Sequence, residues 1–495
     1  MDQNTVTILT FAVYLLLMLG IGVYAWLKTQ SLSDYILGGR KLGPWVSALS
    51  AGASDMSGWL LLGLPGLAYT SGMGAIWIAS GLLLGTWGNW FIMAKRIRAF
   101  SIRAENALTL SAYLEHRFND KKHLLRSISA LVILVFFTIY TASGLIAGGK
   151  LFEEVFGLPY HYAVLTGLIA VVSYTLFGGF LAVSLTDVVQ GLLMSAALLI
   201  VPLYTIQVSG GFGHCFDVFS KTNNGALLDM FTDRNGQSYS LIAILSFVGW
   251  GLGYMGQPHI LARYKAIRSP KDIPAARRIA TSWTAFCLLG ASFSGLAGLA
   301  FFEAQLADPE TVFMNLVNTV FHPVPAGILL AAILAAIMST ADSQLLVASS
   351  ALAEDFYKTF LHKEASAKTL VNVGRLAVVI IAVISMTLAL DSESLVLDVA
   401  ALAWAGFGGA FGPTLALSLY WRRMTRLGAL MGMTTGGLTV LVWHNLQGGI
   451  FELYEIVPAV IISTLAIIGT SLVTKQDAET ETIYDLAIQD IKETI

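Results

Sequence analysis

The chain has 495 residues, of which 56% are hydrophobic and only 12% charged, and its mean hydropathy is +0.71. Soluble domains carry about 25% charged residues, so a soluble globular protein is excluded and an integral membrane protein is indicated. The net charge of −2 says nothing about nucleic acid, because the basic residues are dispersed on loop ends, and two cysteines, Cys215 in an outer loop and Cys287 inside a span, imply no disulfide framework.

Apolar runs of about 20 residues, the length that crosses a hydrocarbon core of roughly 30 Å, predict an all-α membrane protein of about thirteen transmembrane helices. In chain order they centre near Leu17, Leu60, Leu83, Ile139, Ala170, Ala196, Trp250, Gly290, Ala335, Ile380, Ala403, Leu438 and Ile462. The first, from Ile8 to Trp26, lacks a basic flank and a small-residue cleavage site, so it reads as a retained span and not a signal peptide. With an external N-terminus, alternation puts Lys28, Arg40, Lys41, the Lys95 to Arg126 cluster, Arg263 to Arg278, Lys358 to Arg375, Arg422, Arg423, Arg426, Lys475 and Lys492 on the inner side. Short cytoplasmic loops hold the excess of Lys and Arg, and only Lys150, Lys221 and Arg234 fall elsewhere. The C-terminus is therefore expected inside.

The second run is interrupted by Ala51-Gly-Ala-Ser-Asp-Met-Ser-Gly58. Polar and glycine residues at membrane depth survive only where the backbone is buried in protein or lines a solute cavity. Asp55 lies inside the interruption, and a carboxylate within a span costs roughly 2.5–3.5 kcal/mol, which marks it as functional. Asp187, in Ser184-Leu-Thr-Asp187, is less telling: it fits a functional carboxylate within the membrane or an acid in the first turn of a helix that starts there.

The seventh run is interrupted by Gly249-Trp-Gly-Leu-Gly-Tyr-Met-Gly-Gln-Pro258. Trp250 and Tyr254 are four apart and share a face among four glycines that permit close solute approach, and Pro258 closes the segment. A compact solute with an apolar surface and a charged head suits that place. Packing in a core or at a membrane interface is the alternative for each aromatic alone.

In the ninth run, Ala336, Ser339, Thr340 and Ser343 are spaced i, i+3, i+4 and i+7 and form one helical stripe. Hard cations prefer oxygen ligands, so the two hydroxyls of Ser339 and Thr340, with carbonyls near Ala53 and Met56 in the first interruption, suit sodium. Hydroxyls bonded back to their own helix, or small residues packed between helices, are the alternative. Asp342 lies close to this stripe and, like Asp55, has no basic residue within its own span.

No motor accompanies these features. The string Gly144 to Leu151 lacks the Ser/Thr of a phosphate-binding loop, and the histidines have no metal-ligand spacing. A transporter without a motor runs on a gradient. Interrupted runs at matching places in the two halves predict an inverted-repeat transporter with a midplane site. The expected division is an extra N-terminal helix and inner loop (1–40), a first repeat of spans 2–6 (41–210), an outer loop (211–239), a second repeat of spans 7–11 (240–420), two C-terminal spans (421–474) and an acidic cytoplasmic tail (475–495).

The ordered motifs Asp34-Tyr-Ile-Leu-Gly-Gly-Arg40, Ala48 to Trp59, Phe137-Thr-Ile-Tyr140, Gly178 to Val183, Gly249 to Ala262, Ile333 to Thr340, Trp404 to Gly408 and Leu453 to Ile456 resemble the sodium/solute symporter family, and within it the bacterial members that import proline. The resemblance implies a LeuT-type 5+5 inverted-repeat core with broken helices 2 and 7, and import of L-proline with one sodium ion across the bacterial cytoplasmic membrane. It implies Ala53, Met56 and Ala336 as carbonyl ligands, and Ser339 and Thr340 as hydroxyl ligands, of that sodium. Ser57, Gly58, Tyr140, Trp250, Tyr254 and Pro258 are implied around the substrate, with Asp55 critical in the first break. Some relatives bind a second sodium near the positions of Asp187, Asp342 and Ser343. The same scaffold serves sugars, vitamins and carboxylates in other members, and related membrane domains act as sensors. An enzyme, an obligate protein partner and a nucleic-acid ligand are not implied.

Overall fold

A computed structural model describes residues 3–29, 31–176 and 179–493; Gly178, which opens one of the motifs above, lies outside them. Among the described residues the chain is almost entirely helical. The principal helices are α1 (Gln3–Lys28), α2 (Pro44–Asp55), α3 (Leu64–Ser71), α4 (Ile76–Ile92), α5 (Leu124–Phe156), α6 (Tyr160–Thr175), α7 (Phe180–Val208) and α8 (Leu241–Gly249). They continue as α9 (Pro258–Ala266), α10 (Ile273–Phe301), α11 (Pro323–Ser350), α12 (Ala367–Leu388), α13 (Val396–Tyr420), α14 (Arg426–Trp443), α15 (Ile456–Val473) and α16 (Ala478–Glu493). Nine helical stretches among the described residues are long and apolar enough to cross a membrane, and Tyr160–Ser173 and Leu241–Gly256 are shorter apolar helices.

Local chemistry sets where the helices start and stop. Pro44 and Pro258 occupy first-turn positions of α2 and α9, where the missing N–H would have had no partner in any case. Ser240 and Thr425 accept hydrogen bonds from Ala243 and Gly428 as N-caps of α8 and α14. α2 ends at Asp55, and the chain turns through Met56 at φ −85°, ψ 82° before resuming as a π-helical turn over Trp59–Gly63. After α8 the chain tightens into a 3₁₀ segment, Trp250–Gly256, and extends at Gln257 before α9.

These two interruptions lie inside the bundle. α2 packs on α7, α9 and α10, while Trp250–Gly256 packs on α4 and α13. A side chain at Gly85 of α4 would run into the backbone of Gly251, so the segment needs glycine where α4 crosses it. α11 is almost wholly buried, against α1, α5 and α7.

Two expectations are corrected. α7 begins at Phe180 with Gly179 as its N-cap, so Asp187 lies well inside the helix and is not a first-turn residue. Arg263, read as part of an inner loop, lies in α9 and is fully buried. Lys150, which departed from the inner-side pattern, forms ion pairs with Asp308 and Glu310 at 2.7 and 2.8 Å. Glu310 also accepts hydrogen bonds from the N–H groups of Val396 and Leu397 at the start of α13, where a carboxylate suits the unpaired donors and the helix dipole. The acidic tail contains the helix α16, docked on the short helix Ala94–Arg103.

Candidate functional site

The oxygen-rich centre forms where α11 passes the end of α2. Ser339 Oγ donates to the carbonyl of Ala53 at 2.8 Å and lies 3.1 Å from the carbonyl of Ala336. Thr340 Oγ1 is 3.4 Å from the same Ala53 oxygen. Residues 286 and 287 positions apart in sequence thus bring two hydroxyls and two carbonyls to one place, all buried. Met56, also fully buried, occupies the turn immediately after. Such a cluster of neutral oxygens is the donor set a hard monovalent cation takes.

Beside it, the two interruptions meet. Tyr254 donates its hydroxyl to Asp55 Oδ2 at 2.6 Å, and the backbone oxygen of Asp55 lies 3.3 Å from both Tyr140 Oη and Trp59 Nε1. Asp55 Oδ1 is buried with no hydrogen-bond partner among the described residues. A buried acceptor without a partner is costly, which makes this carboxylate a receptive point for a cation or a substrate amine. Ser57 Oγ is 3.5 Å from the N–H of Trp59. Gly58 faces α5 and α11 so closely that a side chain there would meet Ala147 and Ile337. Pro258 is buried at the start of α9.

Aromatic rings line the second interruption. Trp250 stacks against Tyr454 with centroids 5.4 Å apart and stands 6.3 Å from Trp59. Trp404 meets Tyr254 edge-on at 5.0 Å and donates its indole N–H to the carbonyl of Trp250 at 2.8 Å. Asn89 Nδ2 donates to the carbonyl of Tyr254 at 2.9 Å, and Gln257 Nε2 reaches the carbonyls of Gly253 and Trp404 at 3.2 Å. These side chains satisfy backbone groups that the unwound segment frees, as burial in an apolar surrounding requires.

Asp187, Asp342 and Ser343 converge separately, around Arg263. Arg263 Nη2 donates to Asp187 Oδ2 at 3.1 Å and to Ser343 Oγ at 2.6 Å, and Nε donates to Ser50 at 3.0 Å. Ser50 in turn donates to Asp187 at 2.6 Å. Both carboxylate oxygens of Asp342 are buried without a hydrogen-bond partner among the described residues. A guanidinium therefore stands among three residues that the resemblance associated with a second cation.

Asn89, Trp404, Tyr454 and Arg263 were not in the expected set. Trp404 and Tyr454 sit within motifs that carried the resemblance, which was the one signal able to find them. Asn89 is a buried amide in an apolar helix, a sign open to reading. Arg263 offered no sign in sequence.

A family model for the sodium:solute symporter family matches residues 35–436. This chain belongs to that family. The symporter is 50% identical over 482 residues to the sodium/proline symporter of Escherichia coli (strain K12), with 96% of this chain and 94% of that protein covered. It is 47% identical over 478 residues to the osmoregulated proline transporter OpuE of Bacillus subtilis (strain 168), covering 95% of this chain and 96% of that one. Among solved structures, a substrate-bound, outward-open Na+-coupled sialic acid symporter superposes with a TM-score of 0.80 at 19% identity, covering 96% of this chain and all of the other. MhsT in complex with L-phenylalanine gives 0.53 at 15% identity, with 86% and 98% covered. These likenesses establish the LeuT-type helical architecture, and the symporter is a multi-pass membrane protein and not an enzyme.

Proposed function

We propose that the symporter imports L-proline with one sodium ion into the bacterial cytoplasm by alternating access. Proline as the solute rests on relatives near 50% identity across almost the whole chain that are named for it. The geometry that carries sodium coupling is the shared Ala53 carbonyl, 2.8 Å from Ser339 Oγ and 3.4 Å from Thr340 Oγ1. Sodium takes Ala53, Met56 and Ala336 as carbonyl ligands and Ser339 and Thr340 as hydroxyl ligands, replacing the hydroxyl that now satisfies Ala53.

Pairing α2 with α3 and α8 with α9 as broken spans brings the reading to about thirteen crossings, with the N-terminus outside and the C-terminus inside. The two repeats are 41–210 and 240–420, flanked by the extra first helix, the outer loop, two further spans and the cytoplasmic tail. Sodium braces the end of α2 against α11, which holds Asp55 toward Tyr254. Proline then lies among Ser57, Gly58, Tyr140, Trp250, Tyr254 and Pro258, with aromatic surfaces against its ring and Asp55 near its charged end. By linkage, whatever factor sodium adds to proline affinity, proline adds to sodium affinity. Arg263 supplies the fixed positive charge beside Asp187, Asp342 and Ser343, which fits a single transported sodium.

Equilibrium binding of labelled proline to the purified protein tests this reading. Binding that requires sodium and yields to imino-acid analogues but not to sugars is expected; binding indifferent to sodium would remove the coupling site.

A further inference from the structure

We infer that a cavity between the inner ends of α1 and α12 binds the headgroup of an anionic phospholipid. It encloses about 310 Å³ and is lined by Trp26 and Thr29 from the end of α1, Tyr35, and Lys368, Asn372 and Arg375 from the start of α12. Among the described residues, Arg375 is held by a hydrogen bond from Nε to the carbonyl of Leu176 at 3.1 Å. Its terminal nitrogens and the ammonium of Lys368 have no carboxylate within ion-pair distance among the described residues, and no acidic residue lines the cavity. A further cation, Lys28, stands 4.5 Å over the ring of Tyr24 one turn away.

The surroundings favour a lipid over a soluble anion. Trp26 is 55% exposed, as an interfacial tryptophan is. The adjoining turns of both helices carry exposed apolar residues, Val23 and Leu27 on α1 and Leu376 and Val379 on α12. Phosphate in the cavity would meet two cations that have no carboxylate partner among the described residues, while acyl chains ran along these faces. Basic residues at the cytoplasmic membrane surface attract anionic lipids for the same electrostatic reason.

Native mass spectrometry of the full-length protein, purified with equal phosphatidylglycerol and phosphatidylethanolamine, tests the assignment. The wild type should retain phosphatidylglycerol in preference, and Lys368→Gln with Arg375→Gln should lower that retention at least fivefold. Lys368→Gln alone, at an exposed side chain, should lower it at least twofold, which keeps the test available if the double variant folds poorly. Lys475→Gln with Lys492→Gln, elsewhere on the same side, should leave it unchanged. Equal retention in Lys368→Gln and wild type, equal retention of the two lipids, or displacement by millimolar inorganic phosphate would overturn the proposal.

Discussion

Tyr254 and Asp55, 199 residues apart, are joined by a 2.6 Å hydrogen bond that ties one interrupted helix to the other. The tyrosine belongs to the 3₁₀ segment after α8 and the carboxylate to the last residue of α2. Through it, the position of one break depends on the other.

Removing that hydroxyl should therefore be felt in substrate affinity more than in folding. A buried hydrogen bond to a charged group is worth about 1.5–3 kcal/mol, so Tyr254→Phe should weaken proline binding roughly 10- to 100-fold. Saturation binding on purified protein measures it. Unchanged affinity would mean that the contact is only structural.

Thr340 Oγ1 lies 3.4 Å from the Ala53 carbonyl, within the proposed ligand set for sodium. Thr340→Ala should raise the half-saturating sodium concentration about tenfold, the equivalent of 1.4 kcal/mol, while proline affinity at saturating sodium stays near wild type. Uptake measured across a sodium series distinguishes the two, and an identical sodium dependence would remove Thr340 from the ligand set.

Arg263 compensates Asp187 where neither side chain reaches water. Deleting one partner of such a pair costs about 3–5 kcal/mol, because the other charge is left buried and unpaired. Arg263→Leu should lower the yield and thermal stability of detergent-purified protein sharply, and Arg263→Leu with Asp187→Leu should recover part of the loss. Additive damage in the double variant would show that the two residues act independently.

The tail helix α16 is held by apolar contacts of Tyr484, Ala487, Ile488 and Ile491 with the core and by charge. Asp485 and Asp490 accept from Arg422 at 2.9 Å and Arg103 at 2.6 Å. The hydrogen bonds from those arginines, ahead of their charges, hold both carboxyls below the ordinary 3.8. A depressed carboxyl stabilises the docked state above its ordinary value and loses that contribution as pH falls through the lower, folded one. Docking should thus be constant from pH 5 to 8 and weaken below about pH 4, and exposed pairs of this kind should also loosen in 1 M potassium chloride. Hydrogen exchange over residues 478–493 reads both effects; protection unchanged in acid and salt would mean that the apolar contacts of Tyr484 and Ala487 suffice.

Much of the site was legible because membrane depth makes polar residues conspicuous. Asp55, the glycines around Trp250 and the stripe of Ala336, Ser339 and Thr340 all stand out against apolar runs, and helical periodicity alone puts the last three on one face. Arg263 was hidden by the rule that served elsewhere: a basic residue near a run's end reads as a loop residue. Its burial depends on partners 76 and 213 positions away. The first-turn alternative for Asp187 failed because α7 begins at Phe180, after Gly179, and not at the hydroxyls of Ser184 and Thr186. The docking of α16 carries no apolar run and becomes visible only when Arg103, Arg117 and Arg422 are seen facing it.

Uptake of labelled L-proline by liposomes holding the purified protein, driven by an inward sodium gradient and compared with matched potassium and proton gradients, tests the central claim most directly. Accumulation above equilibrium with sodium alone is predicted, lost when the gradient is collapsed. Equal accumulation with potassium or protons, or none with sodium from folded protein, would contradict sodium-coupled proline import.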